Sequence, residues 1–234
     1  MVVPARNEAS TIGGTVSSIS TALHALPDNI STTFVVVLDC CTDDTADVLE
    51  NAVRRSPRWS TPPVVVRSSF GCAGAARALG VRTALDHVRG PLRSVWLANT
   101  DADTSVPSTW LVEQVALADR GADGVAGIVD LDDSADERLR RAFGRSYALG
   151  LDGTHHHVHG ANLGVRADRY LQVGGWRAMQ TGEDHDLWNR VRVVGDCVST
   201  TSVVVRTSGR LAGRAPAGFA SDLADLAGSG LTVA

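Results

Sequence analysis

Two carboxylates stand one residue apart in Leu97-Ala98-Asn99-Thr100-Asp101-Ala102-Asp103-Thr104, directly after the apolar run Ser94-Val95-Trp96-Leu97. Acids at the carboxyl end of a buried strand can hold a hard divalent cation, because Mg²⁺ and Mn²⁺ take oxygen ligands and keep positions open for phosphate oxygens. Acids also cap helices and solvate turns. Pro107 and the helical pattern Trp110, Leu111, Gln114, Val115 follow at once, with Ser105 placed to cap them, so both readings stand on spacing alone. A second acidic group, Thr181-Gly182-Glu183-Asp184-His185-Asp186, reads as a loop entering a helix whose apolar face carries Leu187 and Val191. Read from the residues alone, Asp184 there is a helix cap. His155, His156, His157 and His159 fall within five positions, which suits a metal or phosphate site or a loop lying over a ligand pocket. Arg206, Arg210 and Arg214 could face an anion, but solvated surface is the expectation for them.

The elements that must position these residues alternate regularly in the N-terminal half. Met1-Val2-Val3 is a short apolar start, and it runs into Pro4-Ala5-Arg6-Asn7-Glu8 and a helix with Ile12, Val16, Ile19 and Leu23 on one face. A core strand usually has five or six residues, so either the first strand is short or the native chain extends before Met1. Phe34-Val35-Val36-Val37-Leu38 is an unbroken apolar run, as expected where a sheet is covered on both faces, and it ends at Asp39. Thr42-Asp43-Asp44-Thr45 then opens a helix, its acids lying in the first turn where the helix dipole favours them. A polar loop over 54–63 leads to a strand at Val64-Val65-Val66, and Gly71-Cys72-Ala73-Gly74-Ala75-Ala76-Arg77 to another helix. That glycine spacing is not a dinucleotide fingerprint; it suits either close helix packing or a position near a ligand.

After the central strand and its acids, Gly124 to Val129 reads as a strand and Ala135 to Leu149 as a helix. The order predicts a mostly parallel sheet with right-handed crossovers and helices on both faces. The remainder is less regular: a loop over 150–160, a strand at Ala161 to Val165, a short helix from Asp168 to Val173 and a break at Gly174-Gly175-Trp176. A last strand at Ser202 to Val205 and an amphipathic tail from Phe219 to Leu226 close the chain.

The 234 residues show no linker, repeat or low-complexity stretch, which favours one domain, and the net charge of −4 with mixed signs does not suggest a nucleic-acid surface. No apolar run approaches the roughly 18 residues that span a bilayer, and no signal segment opens the chain, so a cytoplasmic protein is expected. Cys40, Cys41, Cys72 and Cys197 lack Cys-x-x-Cys spacing and read as reduced thiols.

Several of these segments, in this order, resemble the family 2 glycosyltransferases: Val3 to Glu8, Val37-Leu38-Asp39 with Thr42 to Thr45, Gly74-Ala75-Ala76-Arg77, Asp101-Ala102-Asp103, Gly160-Ala161-Asn162 with Gly174-Gly175-Trp176, and Gly182-Glu183-Asp184 with Asp186-Leu187. The resemblance covers residues 2–192 and implies a GT-A fold, a nucleotide-sugar donor, Mg²⁺ or Mn²⁺, and inversion at the anomeric carbon. Position by position, it puts the base and ribose against Pro4, Ala5, Asn7, Glu8 and Asp39, Arg77 near the donor, Asp101 by the ribose or sugar, and Asp103 on the metal. Asp184 resembles the family's base, and Gly160, Ala161, Asn162, Trp176 and Glu183 fall on the acceptor side. Residues 1–105 then form the donor half and 106–234 the half for an unidentified hydroxyl acceptor, with the histidine loop over the acceptor pocket; a homodimer is left open. Two other classes compete. One is a metal phosphohydrolase built on Asp101, Asp103, His185 and Asp186, which expects a mostly helical chain. The other is a nucleotide-sugar-binding module without turnover.

Overall fold

The computed structural model describes residues 1–56, 59, 61–146, 154–214 and 218–229. In chain order it contains β1 (Val2–Ala5), α1 (Ile12–His24), β2 (Val35–Asp39), α2 (Thr45–Arg55), β3 (Val64–Ser68), α3 (Ala73–Asp86), β4 (Trp96–Asn99), β5 (Thr104–Ser105) and α4 (Trp110–Asp119). It continues with β6 (Gly124–Leu131), α5 (Glu137–Ser146), β7 (Leu163–Arg166), α6 (Ala167–Gln172), α7 (Glu183–Val194), β8 (Cys197–Thr207) and α8 (Phe219–Ser229). One sheet runs β3-β2-β1-β4-β7-β6-β8-β5 across both halves of the chain. Its first four strands are parallel, as the alternation of strands and helices predicts.

Apolar runs here are sorted by the two-residue period of a strand. Val3, Val36 and Leu38 face Ile12, Val16, Ile19, Leu49 and Trp110 on one side, whereas Val2 and Leu97 join Val81, Leu187 and Trp188 on the other. Helix α3 lies against β1 and β2 where Gly80 allows it, since a Cβ there would collide with Val2. The small-residue run before and within α3 thus serves close packing, and its first residues also reach the site described below.

The second half departs from the expected pattern. Strand β7 runs antiparallel between β4 and β6, so β6 does not continue the parallel block directly. The polar stretch Ser199 to Ser202 belongs to β8, eleven residues long against the four expected, and a register shift between Gly127 and Ile128 accommodates it opposite β6. Ser105 is no helix cap: it pairs with Arg206 in β5, and α4 starts after Thr109. The central strand begins at Trp96 because Leu92–Ser94 closes a 3₁₀ turn. The helix expected over 135–149 is observed at Glu137–Ser146, while Leu149, like parts of the loops over 54–63 and 150–160, lies outside the described residues. The four cysteines are free. Among the described residues, no helix is long and apolar enough to cross a membrane.

Candidate active site

The carboxyl ends of β1, β2 and β4 open onto a cleft of about 480 Å³, the usual location of ligands in an open α/β sheet. Pro4, Ala5, Arg6, Glu8, Asp39, Gly71, Cys72, Arg77, Asp101 and Asp103 line its first wall. His159, Gly160, Ala161, Glu183, Asp184 and His185 line the wall opposite in sequence, and Thr207, Ser208, Arg210, Arg214, Phe219 and Asp222 complete it. Asp103 and Asp184, 81 positions apart, therefore border one cavity.

Three acids at the strand ends are held in different ways. Asp39 accepts hydrogen bonds from the Phe70 N–H at 2.7 Å, the Cys72 N–H at 3.1 Å and the Ser68 hydroxyl at 2.9 Å, which fastens the turn before α3 to the end of β2. Asp101 pairs with Arg77, whose other terminal nitrogen lies 2.6 Å from Glu183 Oε1. Asp103 contacts Arg210 at 3.0 Å, and Arg210 also takes both oxygens of Glu8 at 2.6 Å each. Burial, and then the charge of Asp101, pushes the Asp103 carboxyl up to about 7 against the opposing pull of Arg210.

Arg77 is the pivot of the interior wall. Only 3% exposed, it lies 5.1 Å from the centre of the Trp176 ring and directly beneath Gly160, where any Cβ would collide with its guanidinium. Burial works against its charge, but Asp101 and Glu183 outweigh that and hold it above its usual range. Glu183 is raised, mainly by burial. The Gly160 N–H in turn donates to Asp184 Oδ2 at 2.9 Å, so the orientation of Asp184 depends on a backbone that Arg77 supports.

Not every residue singled out in the sequence reaches the cleft. Asn162 sits behind it, 1% exposed, donating to the carbonyls of Ile128 and Val203 and accepting from the Trp110 indole at 2.9 Å; it ties β6, β8 and α4 together. Trp176 is buried behind Arg77, and Asn7 shapes the loop after β1, with φ 54° and its amide oxygen accepting from the Thr42 N–H at 2.8 Å. Asp186 is committed to Arg190 and Arg177, which removes it from any hydrolytic metal set with Asp101 and Asp103; the eight-stranded sheet also contradicts the helical chain such a reading expects. Arg206 is solvated and pairs with Asp133, as surface arginines do.

Arg210 corrects the expectation of solvated surface, since it holds Glu8 and Asp103; Arg214 is exposed as expected and donates to the Asn7 carbonyl at 2.6 Å at the cleft's edge. No local signal marks them, because their partners Glu8, Asn7 and Asp103 lie more than a hundred positions away. The histidines form an extended row, His155, His157 and His159, with neighbouring ring centres 6.2 Å apart and His159 edge-on to Phe219 at 5.5 Å. Burial pushes His159 down to about 4, so it is neutral near pH 7. Among the described residues, no three His, Cys, Asp or Glu side chains are grouped to chelate an ion by themselves. Glu8, Asp101 and Asp103 border the cleft as separate oxygen donors, each beside an arginine; Asp103, at its strand end, has the oxygen chemistry a hard cation takes when substrate phosphates complete its shell.

The sequence profile of glycosyl transferase family 2 matches residues 1–170 of this chain. The chain belongs to that family. Its α/β architecture is shared with solved glycosyltransferases of the GT-A fold. The family 2 chain is similar to the mannosyltransferase PcManGT of Pyrobaculum calidifontis, solved with GDP-Man and Mn²⁺, at 20% identity and a TM-score of 0.59, covering 88% of this chain and 55% of that one. It is similar to S. aureus TarS 1–349, solved with UDP, at 15% identity and a TM-score of 0.60, covering 88% and 59%. It also resembles glucosyl-3-phosphoglycerate synthase from Mycobacterium tuberculosis, solved with Mn²⁺, UDP and phosphoglyceric acid, at 17% identity and a TM-score of 0.53, covering 89% and 70%. The family 2 chain thus spans somewhat over half the length of the first two. No curated protein sequence matches it.

Proposed function

We propose that this chain transfers a sugar from a nucleotide-diphosphate sugar to an acceptor hydroxyl with inversion, assisted by Mg²⁺ or Mn²⁺. The observation that carries this reading is the shared cleft: Asp103 at the end of the parallel block and Asp184 at the start of α7 border the same cavity. Residues 1–105 supply the donor side through Pro4, Ala5, Asn7, Glu8, Asp39, Arg77 and Asp101, with Asn7 acting by shaping its loop. Residues 106–234 supply the acceptor side through Gly160, Ala161, Trp176, Glu183 and Asp184, with Asn162 and Trp176 supporting it from behind. Asp103 would hold the divalent cation, which when bound would supply positive charge against the leaving diphosphate. Asp184, oriented by the Gly160 N–H, takes the proton of the attacking hydroxyl. The solved proteins of similar fold, with GDP-Man, UDP and Mn²⁺ named in their complexes, support the donor class.

Calorimetric titration with nucleoside diphosphates and Mn²⁺, together with an assay of diphosphate release from a panel of nucleotide sugars offered with sugar acceptors, tests the assignment. Asp103→Asn loses Mn²⁺-dependent nucleotide binding. Asp184→Asn keeps that binding and loses transfer by about 10²–10⁴-fold, the worth of a positioned base. Unchanged metal dependence in the first variant, or full turnover in the second, overturns the corresponding role.

A further inference from the structure

Arg210 occupies ground that a cation should want. Its guanidinium spans both oxygens of Glu8 at 2.6 Å and touches Asp103 Oδ2 at 3.0 Å, although Glu8 and Asp103 expose only 6% and 13% of their side chains. Of the other arginines that line the cleft, Arg77 is engaged by Asp101 and Glu183, while Arg6 and Arg214 donate to backbone carbonyls. A divalent ion approaching Asp103 alone therefore meets a positive group on its ligand oxygen and must displace it, which offsets part of what the ion gains there. The segment that carries Arg210 is suited to exchange. Residues 208–214 form neither helix nor strand. Their last backbone anchors before Arg210 are the Ser208 N–H on the Asp103 carbonyl and the Gly209 N–H on Asp132 and Ser134. Leu211 is 49% exposed, and the next hold on the segment is the exposed Arg214 guanidinium on the Asn7 carbonyl. A nucleoside diphosphate entering the same cleft brings anionic oxygens that match a guanidinium fork.

We propose that Arg210 is a tethered cation that holds Glu8 and Asp103 until a nucleoside diphosphate arrives to receive it, so that divalent-ion binding and nucleotide binding are coupled through this one side chain. The proposal rests on Asp103 as a cation ligand. It makes Arg210 a positioning residue that opposes the free ion and favours the ion together with its nucleotide. Coupling of this kind is reciprocal: the factor by which the nucleotide tightens the ion equals that by which the ion tightens the nucleotide.

The test is titration of Mn²⁺ by electron paramagnetic resonance, without and with UDP or GDP, on the full chain. Arg210→Gln binds Mn²⁺ alone about tenfold more tightly than the unaltered protein, and the additional tightening by nucleotide shrinks by a similar factor. Arg210→Lys keeps a charge but cannot span three oxygens, and it shifts both quantities the same way by about threefold, which carries the test if the glutamine variant fails to fold. A merely structural Arg210 would weaken ion binding on removal. If the unaltered protein binds Mn²⁺ with nucleotide and neither variant binds the free ion more tightly, the tether is overturned while Asp103 keeps its role. If no Mn²⁺ binds under any condition, both fall.

Discussion

Two arginines neutralise the acids of this cleft, and they belong to regions built on opposite terms. Arg77 rises from the middle of α3, is wedged between Asp101 and Glu183, stacks on Trp176 and is roofed by Gly160. Arg210 hangs from an irregular segment and meets Glu8 and Asp103 at the mouth. A buried charge between two acids must remain, because removing it strands both partners; a half-buried one at an opening can be replaced by whatever cation solvent or substrate supplies. The difference separates a wall that fixes geometry from a wall that can respond to a ligand.

The largest expected effect breaks the comparison at Arg77. Arg77→Ala should destabilise the fold by about 3–5 kcal/mol in urea unfolding, the cost of emptying a site that is 3% exposed and leaving the buried Glu183 unpaired. Arg210→Ala should cost less, about 1–3 kcal/mol, since Arg210 itself is 26% exposed and water can reach the gap it leaves beside Glu8 and Asp103. Equal losses would abolish the distinction.

A smaller effect sharpens the same contrast. Gly160→Ala should cost about 1–3 kcal/mol, because the added methyl must displace the Arg77 guanidinium. In a double-mutant cycle with Arg77→Met, which shortens and narrows the group beneath residue 160, most of that penalty should vanish; additive losses would mean that the two do not touch.

The smallest effect lies at the seam, where His159 meets Phe219. Burial holds His159 at about 4 in the folded chain, against an ordinary value of 6.5. Below 6.5 the unfolded chain binds a proton that the folded chain resists. The contribution is therefore complete above that pH and is lost progressively as pH falls toward 4. Urea midpoints at pH 7 and 4.5 should fall further for the unaltered protein than for His159→Gln; identical slopes would leave His159 out of the acid response.

What the sequence discloses follows the range of the interactions. β2 is legible because both its faces are apolar, and the acids after β2 and β4 stand out because strand ends are local features. Asn162 misleads for the same reason: it adjoins residues that do line the cleft, and only the distant Trp110, Ile128 and Val203 reveal that it faces inward. The hydroxyl residues 199–202 conceal the first half of β8, since their place in the sheet depends on extra residues that β8 bulges out between Thr200 and Val204 opposite Gly127 and Ile128. Arg210 cannot be read at all from its neighbours, as its charge is claimed by Glu8 at the other end of the chain.

Because β7 runs against β4 and β6, the residues that enter it, rather than those that leave it, arrive at the cleft. Residues 154–159 and the strand-end acids thus come to the same rim along chain paths of opposite polarity. Val158 and His159 of the histidine stretch border the cleft on a chain path separate from that of Asp101 and Asp103, so grafting this stretch offers a direct handle for changing what the cleft admits without altering the strand-end acids.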